Sequence, residues 1–177
     1  MTSILKVDQI QLANGNPASL DDLSITGGGK ILQVQNTTFG TTTNYAGVNQ
    51  SYTLCAGSDC PITSTAPNSK FLVLLAADMY GTLLNGSNIS AGVRLGSGSY
   101  SRIRTGNDAW AAYGNGYGAT NSFHITKQDL YTPNYAAGTS LSFCMYLGNW
   151  SSSTTQNMVN YTGYGILSSV TVFEIAP

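Results

Sequence analysis

Few side chains in this sequence are of a type that performs acid–base or nucleophilic chemistry. The chain has a single histidine, His124, on the polar face of an alternating segment. A catalytic triad built on His124 would need a Gly-x-Ser-x-Gly elbow leading from a strand into a helix, and no such elbow is present. We therefore predict that His124 is a hydrogen-bonding strand residue and that the protein is not an enzyme.

Metal sites and sugar-cleaving sites are disfavoured as well. Zinc and iron sites draw on several His or Cys ligands at set spacings, which this sequence does not offer. A glycosidase needs two carboxyl groups roughly 5–10 Å apart. The aspartates beyond the N-terminal region stand alone in the sequence: Asp59, Asp78, Asp108 and Asp129. We predict no metal, no cofactor and no hydrolase activity, with polysaccharide cleavage as the enzyme hypothesis to test.

A segment rich in Gly and Asn, residues 105–121, is the strongest candidate for a binding site. It carries Trp110, Tyr113 and Tyr117, and a smaller loop of the same kind contains Trp150. Aromatic rings flanked by amides stack on sugar faces and hydrogen-bond sugar hydroxyls. The sequence therefore predicts a glycan-binding surface. The alternative is that these rings cover one end of the fold or fill a subunit interface.

The elements that position these loops are predicted to be strands. Charged residues make up only 8% of the 177 residues, so the Glu and Lys that sustain exposed helices are scarce. Thr, Tyr and Val favour pleated, half-buried surfaces instead. The net charge is −1 and no basic stripe is present, which disfavours nucleic acid as a partner.

The sequence also predicts a protein without membrane insertion. The longest apolar run, residues 71–77, is too short to cross a bilayer as a helix. The first residues lack the basic and then apolar pattern of a signal peptide. We therefore expect synthesis in a cytosol.

Hydrophobic periodicity predicts seven or eight short strands. Residues 141–147 are apolar at every second position. In residues 89–95, apolar residues that face the core alternate with residues on a solvent-exposed face. Residues 71–77 and 167–175 are apolar on both faces, so their outer face is covered either by another subunit or by long loops of the same chain. The predicted fold is all-β, an antiparallel β-sandwich of jelly-roll-like type, with an up-and-down barrel as the alternative.

Residues 1–29 differ from the rest and are predicted to form an extended N-terminal arm. Their apolar residues are sparse, and the segment ends in Gly27-Gly28-Gly29. Three successive glycines make a flexible joint. We therefore divide the chain into an arm, residues 1–29, and a β-sandwich head, residues 30–177.

The cysteine pattern does not predict a disulfide framework. The chain has three cysteines and no export signal, which argues against such a framework. Cys55 and Cys60 flank Ala-Gly-Ser-Asp, which predicts a hairpin tip where the two thiols meet, either free or as one disulfide. Cys144 lies in an alternating strand and is predicted to be a small packing residue.

Four short motifs follow one another along the chain: Ser3-Ile-Leu-Lys-Val-Asp-Gln-Ile-Gln, Gly27-Gly-Gly-Lys-Ile-Leu-Gln-Val-Gln35, Pro67-Asn-Ser-Lys-Phe-Leu-Val73 and Ser168-Ser-Val-Thr-Val-Phe-Glu-Ile-Ala176. In this order they resemble a group of phage tail-fibre-like proteins that are common in phages of cyanobacteria and other aquatic bacteria. The resemblance therefore spans the start, middle and end of the chain.

The resemblance implies a virion protein with an attachment arm and a β-sandwich head, usually a homotrimer. It implies that the arm docks onto other tail or baseplate proteins, and that the protein is made in the host bacterial cytoplasm and resides in the virion tail. It supplies no catalytic residues. Residues 105–121 lie outside the shared pattern, which fits a receptor-binding surface for a host glycan. Two functions stay open: a short tail fibre for host adsorption, or an architectural baseplate or capsid-decorating protein without receptor contact.

Overall fold

A computed structural model of the chain describes residues 30–45, 52–82, 87–104, 120–149, 157–160 and 167–177. Within these ranges all regular elements are strands, and each pair of neighbouring strands is antiparallel. No helix in the described ranges is long and apolar enough to span a membrane. The predicted arm, residues 1–29, lies outside them. The strands are β1 (Ile31–Phe39), β2 (Thr43–Tyr45), β3 (Tyr52–Leu54), β4 (Cys60–Thr63), β5 (Lys70–Thr82), β6 (Ser87–Leu95), β7 (Ser101–Arg102), β8 (Thr120–Tyr131), β9 (Ser140–Asn149), β10 (Asn157–Val159) and β11 (Ser168–Ile175).

The strands form two sheets. The first has the order β1-β11-β5-β8, and β10 and β2 continue it beside the second half of β5. In the second, β9 has β6 and then β7 on one side and both β3 and β4 on the other. When the three-residue strands β2, β3 and β10 are left out, the eight remaining strands follow the jelly-roll connectivity of two interlocked Greek keys. The predicted β-sandwich is confirmed, and the barrel alternative is wrong because sequential strands do not pair around a closed ring.

The hydrophobic core lies between the two sheets. Alternate residues of β5 point into it from the first sheet, and alternate residues of β9 point into it from the second. The rings of Phe71 and Phe143 meet at the centre with their centroids 5.5 Å apart. Full burial of such a side chain contributes roughly 1.5–3 kcal/mol. The period-two pattern of residues 141–147 therefore identified the inward face of β9 correctly.

The second sheet departs from the prediction on its outer face. Residues 89–95 were expected to have one solvent-exposed face, yet Ser90 and Gly92 on that face are buried, as is Asn88 just before them. Cys144, their neighbour on β9, is fully buried too. The covering comes from aromatic side chains on other strands, as described below, and local periodicity carries no information about such distant residues.

The predicted hairpin between Cys55 and Cys60 is wrong. Both β3 and β4 pair with the same edge of β9 and run in the same direction, so they are two halves of one interrupted strand. The intervening residues loop out, and the Ser58 hydroxyl holds them in place. It donates to the carbonyl of Cys55 at 2.7 Å and accepts from the amide of Met145 at 3.0 Å. Gly57, with φ of +80°, supplies the left-handed conformation that the loop needs.

Candidate binding surfaces

The aromatic residues predicted as the binding site lie outside the part of the chain that the structure describes. Trp110, Tyr113 and Tyr117 fall within residues 105–119, and Trp150 falls within residues 150–156. Their role in binding therefore stays a prediction. The structure does describe the two sheet faces and the strands that these segments connect.

A charged pair lies at the point where the chain enters residues 105–119. Arg104 Nε is 2.8 Å from Asp129 Oδ1, in ion-pair contact without hydrogen-bond geometry. Asp129 is 1% exposed, and Lys127 Nζ is 3.9 Å from its other oxygen. Within the described residues β8 pairs only with β5 and is therefore an edge strand. A charge that faces inward on an edge strand, as Asp129 does here, hinders pairing of that strand with other chains.

His124 lies on the outer face of the first sheet and contacts its cross-strand partner. Its Nδ1 is 2.8 Å from Asp78 Oδ1, and about half of its side-chain surface is exposed. The prediction of a hydrogen-bonding strand residue is confirmed. Among the described residues, no group of three or more His, Cys, Asp or Glu side chains is placed to hold a metal ion.

The three cysteines are free thiols inside the protein. Burial raises the pKa of the Cys55 thiol to about 12, and burial is also the main cause that raises the pKa of Cys60 and of Cys144. Because the thiolate is the reactive form, these residues act as small packing side chains. The prediction for Cys144 is confirmed, and Cys55 and Cys60 are not joined by a disulfide.

An aromatic layer covers the outer face of the second sheet. The Tyr52 ring lies over Gly148 and the Tyr146 ring over Gly92, so closely that an added Cβ on either glycine would lie 2.5 Å from a ring carbon. The guanidinium carbon of Arg102 lies 3.7 Å from the centroid of the Tyr52 ring, a cation–π contact. These three side chains are partly exposed. We call Tyr52, Arg102 and Tyr146 the outer aromatic layer.

Sequence reasoning did not single out this layer. The available signal was glycine inside two strands, since such glycines often mark close approach of another group.

Beside the layer, Tyr100 donates a short hydrogen bond to Asp59, and Arg94 Nη2 lies 3.2 Å from the same carboxylate. Burial, then the hydrogen bond to Asp59, raises the pKa of Tyr100 well above its usual range. This phenol therefore stays a neutral donor.

The outer face of the first sheet carries an apolar row that crosses four strands. Cross-strand register aligns Val34 with Phe173, Phe173 with Leu72, and Leu72 with Leu130. Val34 is 48% exposed and Leu130 is 47% exposed, while the two central side chains are half-buried. We call these four residues the apolar row. In the described part of the chain, nothing buries their outward surface fully.

On one side of the apolar row, the next two rows are neutral. The first consists of Asn36, Thr171, Leu74 and Gln128, and the second of Thr38, Ser169, Ala76 and Thr126. On the other side, the adjacent row consists of Ile31, Ile175 and the exposed Lys70. The small side chains of the second row leave a concavity of about 500 Å³ in this face. A neutral, concave and partly apolar sheet face has the composition of a surface that another protein surface covers.

The only glutamate of the chain is fully buried at one end of the sandwich. Glu174 accepts hydrogen bonds from Gln33 Nε2 (2.7 Å), Ser69 Oγ (2.6 Å), Thr65 N (2.8 Å), Thr65 Oγ (2.9 Å) and Ala66 N (3.3 Å). We call these residues the Glu174 cluster. Burial alone would raise the pKa of Glu174, yet the hydrogen bonds, first that of Ser69 and then that of Gln33, hold it below its usual value. The cluster therefore stabilises a buried charge and leaves no room for a substrate.

No family model and no curated protein matches the chain. Among solved structures, it is similar to the TNF protein Eiger from S. frugiperda, with a TM-score of 0.44 and 8% identity over 83% of this chain and 94% of that chain. It is also similar to the infectious bursal disease virus Gt strain structure, with a TM-score of 0.39 and 12% identity over 97% of this chain and 43% of that chain. The VP2 subviral particle of infectious bursal disease virus gives a TM-score of 0.37 and 11% identity over 81% of this chain and 38% of that chain. The chain thus spans less than half the length of these two viral chains, and likeness at this level says nothing about activity, ligand or partner.

Proposed function

We propose that this protein is a non-enzymatic structural component of a bacteriophage virion, a short tail fibre that assembles as a homotrimer and contacts the host surface. The observation that carries the proposal is the apolar row on the outer face of the first sheet. Together with the phage-like motifs of the sequence, it supports a protein that works inside an assembly. The proposal places the protein in the virion tail, after synthesis in the host cytoplasm.

The partner proposed for the apolar row is a second copy of the chain. The apolar row and the two neutral rows on one side of it carry no charged side chain, and Lys70 lies exposed on the other side. Two copies can therefore pack these three rows together without burying an unpaired charge. Closed rings of identical subunits satisfy such a surface on every copy. Burying the remaining exposed surface of the four side chains would contribute about 1 kcal/mol each.

Sedimentation of the full-length protein tests the trimer. We expect a single species of three times the chain mass at micromolar concentration, and dissociation in the Leu130→Glu variant. Leu95→Glu is the matched control, because Leu95 is also 47% exposed but lies at the end of β6, outside this face. A monomeric wild type, or equal dissociation by both variants, would contradict the proposed interface.

The proposed contact with the host surface rests on the aromatic segments. We propose that Trp110, Tyr113, Tyr117 and Trp150 contact a host surface glycan, with residues 1–29 docking onto other tail or baseplate proteins. Stacking of one sugar on one ring is weak, about 0.5–1.5 kcal/mol by analogy with aromatic pairs, but three subunits and several fibres multiply it. The Trp110→Ala, Tyr117→Ala double variant should lose host adsorption and keep its trimer. Normal adsorption of particles that carry it would favour the architectural alternative.

The proposal includes the absence of hydrolase activity. His124, next to Asp78, is the only histidine of the chain, and no Gly-x-Ser-x-Gly elbow supplies a nucleophile for such a pair. The one glutamate is enclosed by five hydrogen bonds and is therefore not available as a general acid. Purified protein incubated with host polysaccharide should release no reducing sugar. Release that disappears on replacement of a single aspartate would overturn this part of the proposal.

A further inference from the structure

The three arginines of the chain lie on neighbouring strands at one side of the second sheet. Arg94 is on β6, Arg102 ends β7 and Arg104 follows it. Arg94 and Arg104 each have a carboxylate within 3.2 Å, supplied by Asp59 and Asp129. Arg102 contacts no carboxylate among the described residues, and its buried Nη1 has no hydrogen-bond partner there. Among the described residues, Arg102 is thus the arginine without a carboxylate partner.

The surroundings of Arg102 hold more positive than negative charge. Lys127 joins the three arginines, and two aspartates face the four cations in the described part of the chain. The pKa of Lys127 is lowered, first by burial, and although Asp129 acts to raise it, Arg104 and Arg102 act to lower it further. A region with this charge balance favours the approach of an anion.

The groups around Arg102 point to the kind of anion. The Tyr52 ring lies between Gly148 and the Arg102 guanidinium, whereas the Tyr146 ring lies over Gly92 and is partly exposed. An aromatic face suits the C–H face of a sugar, and a guanidinium suits a carboxylate.

We propose that the outer aromatic layer of the second sheet binds a carboxylate-bearing saccharide, with Arg102 contacting the carboxylate and Tyr146 stacking on the sugar ring. A nucleic acid would need a stripe of cations to follow its phosphates, whereas the single guanidinium of Arg102 matches one carboxylate. An acidic peptide would gain little from stacking on the Tyr146 ring. The inference goes beyond the proposed function and does not require that the protein be part of a virion.

Calorimetric titration of the full-length protein with trigalacturonic acid tests the proposal, with the trimethyl ester of the same trisaccharide as the neutral control. We expect the acid to bind at least about tenfold more tightly than the ester, the size of effect that one charged hydrogen bond supplies. Added salt should weaken binding of the acid and leave that of the ester unchanged.

Variants assign the binding to this site. Arg102→Gln should lose about tenfold in affinity for the acid, whereas Lys70→Gln, which removes the same charge from an exposed position on the first sheet, should bind as the wild type does. A second readout needs no variant. Because the chain has only three arginines, its arginine Nε–Hε region in a 15N spectrum contains three signals, and the acid should shift that of Arg102 most.

Four results would overturn the proposal: no binding at about 10 mM acid, equal binding of acid and ester, unchanged binding by Arg102→Gln, or tighter binding of tri-glutamate than of the saccharide. The last would identify an acidic protein segment as the partner. Incorporation into virions is measured separately on purified particles, so the proposed function and the saccharide site can fail independently of each other.

Discussion

The hydroxyl of Ser69 donates a 2.6 Å hydrogen bond to the carboxylate of Glu174, which lies 105 residues later in the chain. With Gln33, this bond joins β1, the loop before β5, and β11 at one end of the sandwich. Gln33, Ser69 and Glu174 lie in three of the four short motifs quoted from the sequence, which therefore meet at one carboxylate. In this chain those three motifs hold one end of the sandwich together.

Replacement of Glu174 by Gln should destabilise the head strongly. The new amide group would face donors that now bond to an oxygen, and a buried group without its partners costs several kcal/mol, here about 2–4 kcal/mol. Urea denaturation of the variant measures the loss. Asp78→Asn, which removes a carboxylate from the partly exposed pair with His124, is the control and should cost less than about 1 kcal/mol. Similar losses for the two variants would contradict the structural role of the Glu174 cluster.

Acid should remove the contribution of Glu174 to stability. The folded-state pKa of Glu174 is below its unfolded value, so the charged form is the one that folding favours. The contribution is complete above the unfolded pKa of about 4.3 and is lost as the pH falls through the lower folded value. The difference in unfolding free energy between the wild type and Glu174→Gln should be constant at neutral pH and shrink below about pH 4. A difference in unfolding free energy that grows on acidification would contradict a lowered pKa of Glu174 in the folded state.

The three thiols should resist modification in the folded protein. Cys55, Cys60 and Cys144 are buried and their pKa values are raised, so little thiolate forms at pH 8. A thiol reagent should label none of them in buffer and all of them in denaturant. Fast labelling of the native protein, or an intact mass two hydrogens lower than that of the reduced chain, would contradict free, buried cysteines.

Gly92→Ala should disturb the second sheet by overpacking. The added methyl group would lie 2.5 Å from Tyr146 Cε2 and 2.7 Å from the buried Cys144 Sγ, and such crowding costs about 1–3 kcal/mol. Thermal unfolding measures the effect. Gly138→Ala would be a poor control because the φ of Gly138 is +81°. The better comparison is a double-mutant cycle with Tyr146→Ala. Gly92→Ala should destabilise the Tyr146→Ala protein less than it destabilises the wild type. An equal cost in both backgrounds would show that the ring is not the obstacle.

The sequence predicted the longer strands because each of them has a local signature, whereas the three-residue strands β2 and β10 are too short to have one. In residues 141–147 the apolar side chains at every second position identify the inward face. In residues 168–175 the same alternation places Glu174 on the inward face with Val170 and Val172. The outer face of β6 could not be predicted in this way. Its cover, the Tyr52 and Tyr146 rings, comes from residues that are far from it in sequence. Nor could the interrupted strand of β3 and β4 be distinguished from a hairpin, since Gly57 and Ser58 suit both.

The pairing of β1 with β11 has a consequence for the order of folding. The first strand of the sandwich binds to the last, with Val34 aligned on Phe173, so the chain must enclose more than a hundred residues before this pair forms. Such long-range pairing slows folding through the entropy lost on closing the loop. In the folded sheet β11 lies between β1 and β5. While the chain is being synthesised, both strands therefore lack this neighbour until β11 emerges. During that interval two long strand edges are open to other nascent copies, which makes the timing of translation itself a factor in how much protein folds correctly.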